Sequence, residues 1–92
     1  MSLEMLVSKY IASTEQVFKE MQIVKPPINV DIEIVKKVLD FAKAYLEDAK
    51  YYKGEQKFET SLASIVYCEG LLDALRLLKM VKFEWYAKKE KR

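Results

Sequence analysis

The stretch YLEDAKYYKGEQKFETSLASIVYCEGLLDA, residues 45–74, decides the fold. Its first part sets Tyr45, Leu46, Ala49 and Tyr52 three and four residues apart, the spacing that lines one face of an α-helix. Gly54 interrupts the pattern, and Phe58, Leu62 and Ile65 resume it. Two amphipathic segments with so short a connection must run antiparallel. The sequence therefore predicts a helical hairpin, with Gly54 ending its first helix as a left-handed cap.

Working upstream, the first helix of the hairpin extends back to about Ile32, its core face built from Val35, Val38, Leu39, Ala42, Tyr45, Leu46, Ala49 and Tyr52. It is preceded by KPPINVD, residues 25–31, where two prolines forbid helix and Asn29 or Asp31 can cap the helix beginning at Ile32. Before that, Leu3, Val7, Tyr10, Thr14, Val17 and Met21 alternate spacings of four and three, with Leu6, Ile11 and Phe18 widening the stripe. The expected fold is all-α, a small antiparallel bundle of three main helices at about 3–21, 32–53 and 56–80, in a single domain over residues 1–92. Residues 79–92 form a basic aromatic tail with six basic and two acidic side chains, whereas the whole chain carries a net charge of only +2. Periodicity leaves open whether VKFEWYAKKEKR, residues 81–92, prolongs the third helix or forms a short extended arm.

Composition narrows function by exclusion. With 51% hydrophobic and 33% charged residues and two each of glycine and proline, the 92-residue chain is a folded helical sequence, small enough that a partner or second copy would help stabilise it. Cys68 is the only cysteine and there is no histidine, which removes an internal disulfide, a thiolate zinc site and every mechanism that turns on imidazole. No metal, no cofactor and no catalysis are expected; an enzyme would have to rest on Asp48, Glu69 and Asp73. The start MSLEMLVSKY has none of the features of a signal peptide, and no apolar run approaches the ~20 residues of a membrane span, so the expectation is a cytoplasmic protein with no membrane role.

The third helix changes face along its length. At about 100° per residue, the line through Phe58, Leu62 and Ile65 runs on into Glu69, Asp73 and Arg76, while Leu71, Leu75 and Leu78 lie on another side. A helix apolar nearly all round is covered by more than one neighbour. Gly70, which costs roughly 1 kcal/mol of helix propensity relative to alanine, is expected to mark a tight crossing, and Gly70, Leu71, Leu75 and Leu78 are the packing and interaction candidates. Glu69 and Asp73 have the i,i+4 spacing of a pair that shares a proton or metal. The structural reading is stronger: Asp48, Glu69, Asp73 and Arg76 form a polar seam, with Asp73 paired to Arg76 and with Lys36 or Lys37 at about the right height on the antiparallel helix. Cys68 reads as an inert small hydrophobe, and Tyr45, Tyr51, Tyr52 and Tyr67 as amphipathic residues at the rim of the core.

The run Tyr45, Leu46, Asp48, Ala49, Tyr51, Tyr52, then the Gly54 turn, then Tyr67, Gly70, Leu71, Leu72, Asp73 and Ala74, resembles the archaeal family known as domain of unknown function 357. This chain has Cys68 where the family tends to show alanine, and its turn glycine comes a little early. The resemblance implies a small helical protein, archaeal and cytoplasmic, and implies no activity. The hairpin is also similar to one tetratricopeptide helix pair, a unit that serves as an interaction surface but needs about three copies to form a solenoid.

Two functions are indicated. The first is a non-enzymatic helical interaction module that self-associates, as a homodimer, and docks a protein partner. The alternative is RNA binding through the tail, with Lys79, Lys82, Lys88, Lys89, Lys91 and Arg92 on phosphates and Phe83, Trp85 or Tyr86 stacked on bases.

Overall fold

The computed structural model describes residues 2–24 and 29–85. Along them run α1 (Leu3–Glu20), the two-residue strand β1 (Gln22–Ile23), α2 (Ile32–Gly54), α3 (Phe58–Leu77) and a second short strand, β2 (Val81–Lys82). The three-helix expectation holds, and VKFEW, the first five residues of the tail stretch, forms an extended arm.

Local chemistry fixes the helix starts. The Ser2 hydroxyl accepts a hydrogen bond from the Met5 N–H at 3.1 Å, and the Asp31 carboxylate accepts one from the Glu33 N–H at 2.9 Å, each satisfying a backbone donor that has no partner within its helix. Asp31, not Asn29, therefore caps α2; Pro26 and Pro27 lie outside the described residues.

Both later helices end in the same way, which corrects the expectation for Gly54. Gly54 is the last residue of α2 and has no positive φ; the left-handed position falls two residues later, on Gln56, at φ 61°. Lys57 N–H returns to Tyr52 O at 2.9 Å and Gln56 N–H to Lys53 O at 3.0 Å, the bond pair of a Schellman motif. At the end of α3, Lys79 takes the same conformation at φ 61°, with Met80 N–H on Leu75 O at 2.9 Å and Lys79 N–H on Arg76 O at 3.0 Å. This turn stops α3 at Leu77, three residues short of the expected Met80, and redirects the chain into β2.

The core draws on every helix. Val7, Ile11 and Val17 of α1, Val35, Ala42, Leu46 and Ala49 of α2, and Ile65, Cys68, Leu72 and Leu75 of α3 are buried. The hairpin helices approach closely because Ala42, Ala49 and Ser61 are small, and the fully buried Ser61 hydroxyl donates to Ala49 O at 2.6 Å. On one side of the hairpin lies α1, joined to α2 at the surface by Lys50 Nζ and a Glu15 carboxylate oxygen 3.0 Å apart. Antiparallel pairing of β1 with β2, Gln22 opposite Lys82 and Ile23 opposite Val81, ties the end of α1 to the end of α3. Overall dimensions are 42 × 27 × 18 Å; the smallest is under two helix diameters of about 10–12 Å. So thin a body leaves much of each helix facing outward.

No described helix is long and apolar enough to cross a membrane.

Candidate interaction surface

The candidate residues gather around α3, which has three chemically different sides. Toward the hairpin and α1 it gives Ile65, Cys68 and Leu72, all fully buried. Burial, and secondarily the negative charge of Glu69, push the Cys68 thiol up to about 12, which makes it an inert core residue rather than a nucleophile. Glu69 itself is buried, at 6% exposure.

A second side meets the tail. Asp73 Oδ1 accepts a hydrogen bond from the Trp85 indole N–H and stands 3.5 Å from Arg76 Nε. That separation makes an ion pair without the geometry of a directed hydrogen bond. Arg76 Cζ lies 6.0 Å from the centre of the Phe83 ring, at the outer limit of a cation–π contact, and Phe83 meets Trp85 edge to face with ring centres 5.0 Å apart. The seam expected of Asp73 and Arg76 is thus present, and its function in the fold is to hold the tail.

Three features of the expected arrangement are corrected. Asp48 is exposed and makes no hydrogen bond or ion pair among the described residues; it sits one residue before buried Ala49, hence turned about 100° from it, and the structure does not bring it to Asp73. Lys36 is engaged by Glu33 at 3.6 Å on its own helix, and Asp73 takes its partners from α3 and the tail. Trp85, a candidate for stacking on nucleic-acid bases, is only 5% exposed and Phe83 only 8%; both faces of use for stacking are spent on packing. Of the other nucleic-acid candidates, Lys82 is exposed, while Lys88, Lys89 and Arg92 lie outside the described residues.

The burial of Val81, Phe83 and Trp85 was legible in a signal that decides between the two forms left open for this stretch. Val81, Phe83 and Trp85 alternate with Lys82 and Glu84, and the structure buries the first set and exposes the second, the period-two pattern of a strand with one face on a core.

The third side of α3 faces outward. Its exposed residues from position 63 to 78 are Ala63, Val66, Tyr67, Gly70, Ala74, Leu77 and Leu78, and none is charged. Among the described residues Gly70 marks no crossing: none of their atoms stands within 4 Å of the place a Cβ would occupy, because the position points away from α1 and α2. Of the other packing candidates, Leu75 is buried in the core and Leu78 is exposed. Leu71 joins Val38, Phe41, Tyr45 and Tyr67 around an apolar groove of about 230 Å³ between α2 and α3. Tyr45 and Tyr67 line it with ring centres 4.4 Å apart, as does Phe41, which is 60% exposed. Among the described residues, no three side chains of the metal-binding types come together.

The architecture is that of a small three-helix domain closed by a two-stranded ribbon. Residues 9–81 match the model of the family described as protein of unknown function (DUF357), and the chain belongs to that family. No curated protein and no solved structure matches the chain.

Proposed function

We propose that the protein is a non-enzymatic helical interaction module that associates with itself and docks other proteins through the outward side of α3 and the adjoining groove. The observation that carries this reading is the absence of any charged residue among the exposed positions of α3 from Ala63 to Leu78. In a monomer of this size the solvent side of a helix is its polar side; here Glu69, Asp73 and Arg76 are drawn inward or against the tail, and leucine, valine and tyrosine are left outside. Apolar patches of this kind are characteristic of protein-binding surfaces. RNA binding through the tail is less favoured, because Phe83 and Trp85 are packed away.

Light scattering across a dilution series, at low and high salt, tests the proposal. The expected result is a dimer whose molar mass does not fall when salt is raised, as for an apolar interface. A monomer at every concentration would overturn self-association.

A further inference from the structure

The exposed side of α3 has a symmetry of its own. Relative to Gly70, its residues Ala63, Val66, Ala74 and Leu77 stand at −7, −4, +4 and +7, and at about 100° per residue all lie within roughly 40° of Gly70 around the helix. The spacing reads the same in both directions, but the sizes do not: each large residue on one arm answers a small one on the other.

We infer that two copies of the chain pair through α3, antiparallel and about a two-fold axis at Gly70, with Leu77 of each copy over Ala63 of the other and Val66 over Ala74. This rests on the self-association proposed above and specifies its geometry. A two-fold interface must be complementary to itself, and only the antiparallel alignment makes this stripe so; a parallel alignment sets Leu77 against Leu77 and leaves a gap at Ala63. Gly70 meets Gly70 at the axis, where the open space beside it admits the backbone of the second helix. The same axis keeps each flank of α3 against its own copy, so Tyr67, only three residues from the axis, approaches its equivalent and brings the two grooves edge to edge.

The area is sufficient. Val66, Tyr67, Leu77, Leu78 and Phe41 are 45–71% exposed, and with the small residues between them they offer on the order of 600 Å² per copy, at the upper end of the largest patch on an ordinary monomer. Pairing would hide at most roughly 1,200 Å² in all, which reaches the lower end of the range for specific stable interfaces.

Cysteine cross-linking in the full chain tests the arrangement. Gly70→Cys is tolerated by the monomer, since nothing lies where its side chain would stand, and at the axis its two sulfurs fall within disulfide reach. Under mild oxidation most of that variant should become a covalent dimer, and a mixture of A63C with L77C should give chiefly the mixed dimer, identified by mass. The parent, whose Cys68 is buried, serves as the uncross-linked control. A dimer by light scattering that forms neither cross-link, or that cross-links A63C to itself, overturns the antiparallel geometry and leaves the interaction module standing; a monomer by light scattering overturns both. Gly70→Arg provides a second readout, placing two like charges at the axis. It should halve the molar mass with helicity unchanged, and a variant that keeps the parent's mass would refute the pairing.

Discussion

α1 and α3 both pack an apolar side on the same core, yet they present opposite surfaces to solvent. The exposed positions of α1 include Glu4, Gln16, Lys19 and Glu20, whereas those of α3 from Ala63 to Leu78 are apolar or small. Water completes the surface of α1; it cannot complete that of α3 without leaving several large hydrophobic side chains wet. The difference lies in the direction in which each helix sends its charges, since α3 carries Glu69, Asp73 and Arg76 but turns them toward its own chain. One helix meets solvent largely with charged and polar groups, the other with an uncharged face.

The contrast is broken most directly by making one substitution on the two sides of α3. Leu72→Ala, at a fully buried position, should cost about 2–5 kcal/mol in urea unfolding. Leu77→Ala, at 71% exposure, should cost under ~0.5 kcal/mol in a dilute monomer while weakening the dimer by light scattering. Equal losses of monomer stability would mean that the outward side is covered within the chain.

Next in size is the seam between α3 and the tail. Asp73→Ala removes the acceptor for the Trp85 indole and the partner of Arg76, and should cost about 1.5–3 kcal/mol, the range for hydrogen bonds to a charged group. Asp73→Asn keeps an oxygen for the indole and should cost less. An Asp73→Ala protein that unfolds at the parent's urea midpoint would show that the tail is held by its apolar residues alone.

The core side of α3 also carries a pH dependence. The Cys68 thiol is held neutral in the fold, well above its ordinary value of 9.0, so an unfolded chain releases this proton first. Its contribution to stability is complete below pH 9, declines as pH rises, and is gone above about 12. The slope is at most about 1.4 kcal/mol per pH unit. Denaturation midpoints measured between pH 8 and 10.5 should fall for the parent and fall less steeply for Cys68→Ala; identical slopes would refute the assignment.

Two smaller effects sharpen the picture of α1. Thr14 is fully buried and its hydroxyl has no hydrogen-bond partner among the described residues, so Thr14→Val should stabilise the protein by about 1 kcal/mol in thermal or urea unfolding. A loss of stability would mean that the hydroxyl is satisfied. The Glu15–Lys50 bridge is 39–44% exposed on its two sides; Glu15→Ala should lower the urea midpoint only slightly, and the loss should fade in high salt. A salt-independent loss would point to packing instead.

Much of the fold was legible because helices advertise themselves by period. Val7, Ile11 and Val17, or Val35, Ala42 and Leu46, can be placed on a core face from spacing alone, and Asp73 with Arg76 from their separation of three residues. Other features resist the helical reading for physical reasons. Gly54 looks like a left-handed cap because glycine adopts that conformation at least cost, but the motif's register puts it on Gln56, where two backbone hydrogen bonds close the turn. Strand β1 is two residues long, too short for any period to register, and its pairing with β2 joins distant parts of the chain, which no local pattern encodes. Gly70 reads as a close approach and stands in open space among the described residues, since a glycine's low helix propensity does not say which way its position faces. Asp48 is misplaced by the assumption that acidic residues near the core edge converge.

The docking of the tail has a practical consequence. Trp85 is the chain's single tryptophan, and its indole sits buried against Asp73 and Phe83 rather than in water. The protein therefore carries one tryptophan reporter on the last described segment, which can be excited selectively over the tyrosines on the helices. Its emission should shift to longer wavelength when the ribbon lets go, whereas far-ultraviolet circular dichroism follows the helices. Release of the ribbon and melting of the bundle can thus be timed separately in one unlabelled sample.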